Sequence, residues 1–240
     1  VSFTYPNSGI QALDRVSFSL KAGESLGILG RTGAGKSTIA SLMVRQYDPT
    51  EGRILIDGVD LKEWHLPTLK KHLGWVPQEA FLFSDNIASN IAFGVDELDM
   101  ERVEQAAQSA GVHENIVDFP KGYETRVGER GITLSGGQKQ RVSIARALIK
   151  DPEIIVLDDS LSAVDTETEE LILNNLRKET KDKTALIIAH RISSVKHCDQ
   201  IVCLDKGAVV EHGTHEELSQ AGGHYSELIA LQLDGASTDN

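Results

Sequence analysis

The sequence predicts an α/β fold: a parallel core sheet around a glycine-rich loop, an antiparallel β layer from the N-terminal strands, and a helical subdomain. Three observations predict it. Residues 26–29, 154–157 and 184–189 are continuously apolar, the pattern of strands buried on both faces of a parallel sheet. Residues 1–5, 16–20 and 53–56 alternate, as half-exposed antiparallel strands do. From about Ser84 to Lys150 the pattern is helical, with no strong strand.

Turn and cap chemistry punctuates these elements. The strand at 26–29 runs into the glycine-rich loop and then a helical pattern over 37–45. Ser135 stands three residues before Gln138, Thr166 before Glu169, and Thr214 before Glu217. Each pair fits a capping box, in which two backbone donors at a helix start are satisfied reciprocally. Asp205-Lys206-Gly207 separates apolar runs at 201–204 and 208–210, a hairpin signal. The polar end at 234–240 is expected to fray.

Composition narrows the class. A chain of 240 residues with 40% hydrophobic and 25% charged residues is an ordinary globular one, able to bury a sizeable core without staples. A net charge of −12 argues against nucleic acid as the main partner. Cys198 and Cys203 make neither a disulfide framework nor a four-cysteine metal site, so a reducing compartment is the default. No apolar run approaches the ~18 residues of a membrane span, and no basic signal-peptide start is visible. Val1 reads as a start inside a strand, which suggests a piece of a longer protein.

Gly30-Arg31-Thr32-Gly33-Ala34-Gly35-Lys36-Ser37 matches G-x-x-x-x-G-K-[ST], with a buried strand before it and a helix after it. The glycines let backbone N–H groups converge on phosphate oxygens, and the helix dipole adds to this. Lys36 neutralises β/γ-phosphate charge and the Ser37 hydroxyl can ligate Mg²⁺. A second strand, at 154–157, ends in Asp158 and Asp159. Beside a phosphate loop the first carboxylate is expected to hold Mg²⁺, directly or through water, and the second stands where a water-positioning base is needed. In isolation such a pair would as readily be two solvated acids.

Leu134-Ser135-Gly136-Gly137-Gln138, continued by residues 139–148, decides the class. The chain resembles, over nearly its whole length, the nucleotide-binding domain of ATP-binding-cassette (ABC) proteins, whose LSGGQ signature is present unaltered. The resemblance implies a P-loop NTPase of the ABC ATPase fold, with a RecA-like parallel core, an antiparallel β subdomain and a helical subdomain. It implies one domain, with a catalytic core at 1–82 and 151–233, a helical subdomain at 83–150 and a tail at 234–240.

The resemblance also implies ATP and Mg²⁺ as ligands, bound through residues 30–37 and Thr38. It implies that Tyr5 stacks on adenine, and that Gln78 contacts Mg²⁺ and the attacking water and links to the transport domain. Asp165, in Ser162-Ala163-Val164-Asp165, would lie in the loop that crosses the dimer interface. His190 would be the switch histidine at the γ-phosphate. Ser37, Gln78 and Asp158 make the implied metal set; Lys36, Gln78, Asp159 and His190 the catalytic one. Taken singly, a Tyr, Gln or His at such places is more often a surface or structural residue. His212 and His215, two histidines without a third ligand, read as non-catalytic.

Residues 82–94 and Val127-Gly128-Glu129-Arg130-Gly131 resemble the exporter branch, in which these regions receive coupling helices of a membrane domain. Phe81, Leu82, Phe83, Ile87, Ile91 and Phe93 are expected to form an apolar patch there. The implied partners are thus a second nucleotide-binding domain and a transmembrane domain missing from this chain, at the cytoplasmic face of a membrane, with the isolated domain soluble. A soluble cassette ATPase of DNA repair or translation is disfavoured: Lys36 and Ser135 are only 99 positions apart, with no heptad run between them. A nucleotide kinase has no use for LSGGQ. One position departs from the family. Asp159 stands where most members carry Glu, a side chain about 1.5 Å longer. Two readings follow: a slower but working ATPase, or a largely regulatory degenerate site in a heterodimer.

Overall fold

The computed structural model describes residues 1–128, 132–179 and 183–237, without the side chains of 166, 179 and 234–237. The strands, in chain order, are β1 (Phe3–Thr4), β2 (Gln11–Leu13), β3 (Ser25–Gly30), β4 (Leu55–Ile56), β5 (Val59–Asp60), β6 (Leu73–Val76), β7 (Ile154–Asp158), β8 (Thr184–Ile188), β9 (Gln200–Asp205) and β10 (Ala208–Gly213). The α-helices are α1 (Lys36–Met43), α2 (Leu66–His72), α3 (Ile87–Ala92), α4 (Met100–Ser109), α5 (His113–Val117), α6 (Gly136–Leu148), α7 (Thr166–Glu179), α8 (Ile192–Val195), α9 (His215–Gln220) and α10 (His224–Ser237). No described helix is long and apolar enough to cross a membrane.

The backbone forms two compact units: residues 1–70 with the chain from 184 onward, and residues 71–183. In the first, β3 is paired on one side with β8 and on the other with β9, both parallel. Leu26, Ile28 and Leu29 are buried there, as an apolar run between two neighbours requires. β10 returns antiparallel along β9. Their turn places Lys206 (φ 47°) and Gly207 (φ 81°) both in the left-handed region, the backbone that twists a two-residue hairpin correctly. β1 pairs with β2, and β4 with β5, as short antiparallel ribbons.

In the second unit β6 and β7 pair in parallel, and α6 packs against β6, α3 and α4. Because these two strands group with the helices, the division falls at 70/71 and 183/184.

Two local expectations are corrected. Residues 16–20 keep their alternation in burial but form no strand, and β2 pairs with β1 instead. The cap of α7 is Asp165, whose Oδ1 accepts from Thr168 N at 2.9 Å, so the helix begins at Thr166 and is not capped by it. Helix α10 runs to Ser237 and so includes the first four residues of the 234–240 tail; residues 238–240 lie outside the described residues. The other two capping boxes form as expected, at Ser135/Gln138 and Thr214/Glu217.

Candidate functional site

The first unit carries the phosphate loop. It joins the buried strand β3 to α1, whose first residue is Lys36. Gly35 caps the helix at φ 99°, and a Cβ there would lie 2.6 Å from the Ala12 carbonyl oxygen, so glycine is required on two counts. Gly33, at φ 81°, has no atom within 4 Å of where a Cβ would stand. That leaves a backbone cradle open on its outer side. Arg31, Thr32, Gly33 and Ser37 are exposed along it, while Ala34 and Thr38 are buried beneath. The Lys36 ammonium donates to the carbonyls of Gly30 (2.8 Å) and Arg31 (3.1 Å), which holds its charge over the loop.

Two further sequence-derived residues sit in this unit. The Tyr5 hydroxyl shares a 3.0 Å hydrogen bond with Thr38 Oγ1, so the aromatic stands beside the first turn of α1. Its ring meets Phe3 and Tyr47 edge-on, with centroids 4.9 and 5.6 Å away. His190 follows β8 and is exposed. The strand end is fastened to the root of the phosphate loop by Ala189 N donating to Ile28 O at 3.1 Å.

The second unit carries the acidic strand end and the signature helix. Asp158 closes β7, and both it and Asp159 are buried. Asp159 takes φ 47°, a conformation that Asp tolerates better than most residues. Gln78 Nε2 donates to Asp159 Oδ2 at 3.4 Å, so two residues 81 positions apart in sequence meet. The Asp159 carbonyl accepts from Ser162 N (3.3 Å) and Ser162 Oγ (2.8 Å), which turns the chain sharply after the strand. Asp165 ends this turn. The Thr168 backbone N–H and hydroxyl hold its carboxyl below the usual carboxylate range.

In the signature, Ser135 and Gly136 are exposed and Leu134 is buried. Ser135 Oγ accepts from Gln138 N (3.2 Å), and Gln138 Oε1 accepts from Ser135 N (2.9 Å). Both side-chain oxygens thus accept within the cap, while the Ser135 hydroxyl and the Gln138 Nε2 amide keep their capacity to donate. The tip also presents the first-turn backbone at Gly136 and Gly137, at the positive end of a 13-residue helix.

Near this helix Phe81, Phe83 and Phe93 are exposed, with the Phe83 and Phe93 rings stacked at 4.2 Å. Ile87 and Ile91, expected in the same patch, are instead fully buried, because spacing by four puts them together on the core side of α3. Arg146 supports the aromatics from behind. It donates to Asn90 O (2.7 Å), Asn90 Oδ1 (2.9 Å) and Phe81 O (2.8 Å), and its guanidinium lies 5.5 and 5.9 Å from the Phe83 and Phe93 centroids. Burial pushes its pKa down to about 10, still charged at neutral pH. Of the other exporter-like segment, Glu129, Arg130 and Gly131 lie outside the described residues.

In the first unit the open side of Gly33 and the exposed Ser37 hydroxyl suit a polyphosphate and a hard cation; in the second, Asp158 and Gln78 offer oxygen donors of the same kind. Among the described residues no three His, Cys, Asp or Glu side chains gather as a metal cage. Mg²⁺ characteristically binds through one or two protein ligands plus phosphate and water.

Residues 13–162 match the ABC transporter family. The chain belongs to this family. It is 44% identical over 98% of its length to an ATP-dependent lipid A-core flippase of Pseudomonas aeruginosa, covering 39% of that protein. It is 46% identical over 99% of its length to ATP-binding cassette sub-family B member 6 of Mus musculus, covering 28% of it. A bacterial Atm1-family ABC exporter solved with ATP bound is 45% identical, with a TM-score of 0.93 over 97% of this chain and 41% of that one. The fold is therefore that of the ABC ATPases, with a P-loop, parallel core strands and added antiparallel strands and helices. The chain spans about two fifths or less of the relatives it matches.

Reading the sequence missed Gln140, Arg146 and Gln232, each bonded to the backbone of a site segment or of the exposed aromatic patch. Nothing in composition or spacing marks such residues, since their function is to bond main-chain atoms far away in sequence.

Proposed function

We propose that the chain binds and hydrolyses Mg-ATP and powers an ABC exporter, through ATP-driven head-to-tail pairing with a second nucleotide-binding domain. The open glycine cradle over Lys36 and the start of α1 carries this reading. In it, the loop N–H groups and Lys36 bind the β- and γ-phosphates and Tyr5 stacks on the base. Mg²⁺, held by Ser37 with Asp158 and Gln78, offsets phosphate charge. Asp159 orients the attacking water, with Gln78 bonded to its carboxylate, and His190 contacts the γ-phosphate. The α6 tip offers its first-turn backbone N–H groups and the Ser135 hydroxyl as donors to the γ-phosphate bound by the partner domain. The exposed Phe81, Phe83 and Phe93 face would receive a transmembrane domain at the cytoplasmic side of the membrane.

A second reading rests on Asp159: a degenerate site that binds ATP, closes with a different partner and hydrolyses slowly. Single-turnover hydrolysis with and without that partner separates the two.

The test of nucleotide binding is Lys36→Ala. Loss of a charge-assisted bond to phosphate, about 1.5–3 kcal/mol, should weaken Mg-ATP binding roughly 10- to 150-fold by calorimetry. Retained affinity in the folded variant refutes the phosphate-loop assignment.

A further inference from the structure

Gln232 lies on α10, and its amide reaches back to the segment that carries His190. Its Nε2 donates to the His190 carbonyl at 2.7 Å, and its Oε1 accepts from Ile192 N at 2.9 Å. One primary amide thus grips the chain on both sides of Arg191, in the way a neighbouring strand would. The gripped segment needs such support. It leaves the sheet at the end of β8, and α8 is only four residues long. A helix that short does not hold itself, and its first N–H groups have no acceptor within the helix; Ile192 N is one of them.

The helix that supplies Gln232 is itself seated firmly. The Glu211 carboxylate accepts from His224 N (3.0 Å) and Tyr225 N (2.6 Å) at its start. Tyr225 is fully buried, and its hydroxyl bonds His215 Nδ1 at 2.8 Å. Gln232 lies seven residues on, two helical turns along the same face. The anchor at Tyr225 therefore fixes where the Gln232 amide stands.

We propose that Gln232 is a positioning residue for His190: its two backbone bonds fix the main chain on both sides of Arg191, and with it the residue whose imidazole the proposed function puts at the γ-phosphate. This rests on the reading of His190 as the γ-phosphate contact. Ala189 N, bonded to Ile28 O, holds the segment from the sheet side, and Gln232 holds it from the helix side. With the second hold removed, the imidazole keeps its chemistry while the main chain that carries it is held less firmly.

The experiment measures kcat and KM for ATP in the full-length protein carrying Gln232→Leu, Gln232→Glu, His190→Ala, or both Gln232→Leu and His190→Ala, with Tm for each. Misplacing a catalytic group by about 1 Å costs on the order of 10²-fold. Gln232→Leu is expected to lower kcat by roughly 10- to 100-fold, with KM within about twofold. Gln232→Glu keeps the acceptor for Ile192 N and loses the donor to His190 O, so it also slows turnover. The double variant is expected to be no slower than His190→Ala alone, because the clamp acts only through that residue. Wild-type kcat in both Gln232 variants overturns the proposal, as does a loss that multiplies onto that of His190→Ala. Full turnover in His190→Ala removes instead the reading on which the proposal stands, so the two failures are distinguishable.

Discussion

Replacing Gly137 by Ala puts a methyl group 2.8 Å from the carbonyl oxygen of Ala163. Carbon–oxygen contacts of this kind ordinarily settle at about 3.3–3.6 Å, so the carbonyl must retreat by roughly 0.5 Å or more. It is not free to do so cheaply. Ala163 N is bonded to Gln140 Oε1, Val164 N to Leu161 O, and Ser162 twice to Asp159 O. Overpacking of this type costs about 1–3 kcal/mol, offset by up to ~1 kcal/mol from the better helix propensity of Ala. A net loss of about 1–2 kcal/mol corresponds to a fall in Tm of roughly 2–8 °C for a chain of this size. Gly136→Ala is the matched control, since its nearest neighbour, Ala163 Cβ, stands 3.8 Å away in ordinary contact. Its Tm should stay level or rise. Scanning calorimetry of the two variants decides the matter, and equal shifts refute the close approach of Gly137 to Ala163.

Asp159→Glu moves the carboxylate outward by about one bond and should raise ATP turnover at saturating ATP, by up to ~10²-fold if geometry alone limits the wild type; an unchanged or lower rate in a steady-state assay rejects a geometric deficit. Arg146→Ala removes three hydrogen bonds to Asn90 and Phe81 and should lower Tm by about 3–10 °C, from a loss of roughly 1.5–3 kcal/mol. Arg146→Lys should not restore it, because one ammonium cannot span the same acceptors and stack on both rings.

The elements legible in the sequence were those whose local chemistry agrees with the fold. The strand at 26–29, the Lys206-Gly207 turn and the caps at Ser135 and Thr214 each carry their instruction in adjacent residues, and each forms. The run at 16–20 carries the same alternation as a strand, but a strand also needs a partner, and partners are decided by the rest of the chain. At α7 the spacing to Glu169 pointed to Thr166 as the cap, whereas the residue before it, Asp165, accepts from Thr168 N and the helix begins at Thr166. The carboxylate won because it is an N-cap at least as good as Thr and sits one residue nearer the incoming turn. Ile87 and Ile91 were counted as surface because composition alone does not say which face of a helix turns inward. The motif residues of the candidate site were legible because their types and spacings are rare. The residues that hold them, Gln140 and Gln232, were not, because a glutamine that bonds backbone reads like any solvated glutamine.

Gln140 shows why the signature helix and the segment after Asp159 belong to one mechanical element. It is buried, and its Nε2 donates to Gln78 O at 3.3 Å while its Oε1 accepts from Ala163 N at 3.3 Å. Gly137, one turn earlier on the same helix face, admits the Ala163 carbonyl into close approach. The two peptide groups flanking Ala163 therefore both abut α6: the N–H of Ala163 donates to Gln140, and its C=O lies where Gly137 carries no side chain. Gln78 is tied in turn to Gln140 by its own carbonyl and to Asp159 by its side chain. A shift of the Gln78 backbone must carry α6 and the 159–165 segment with it, or break two part-buried hydrogen bonds at about 0.5–1.5 kcal/mol each. All but one of these ties run to main-chain atoms. On the proposed function, Asp159 at the water, Gln78 at the link to a membrane domain and the α6 tip at the partner's nucleotide would then move as one body.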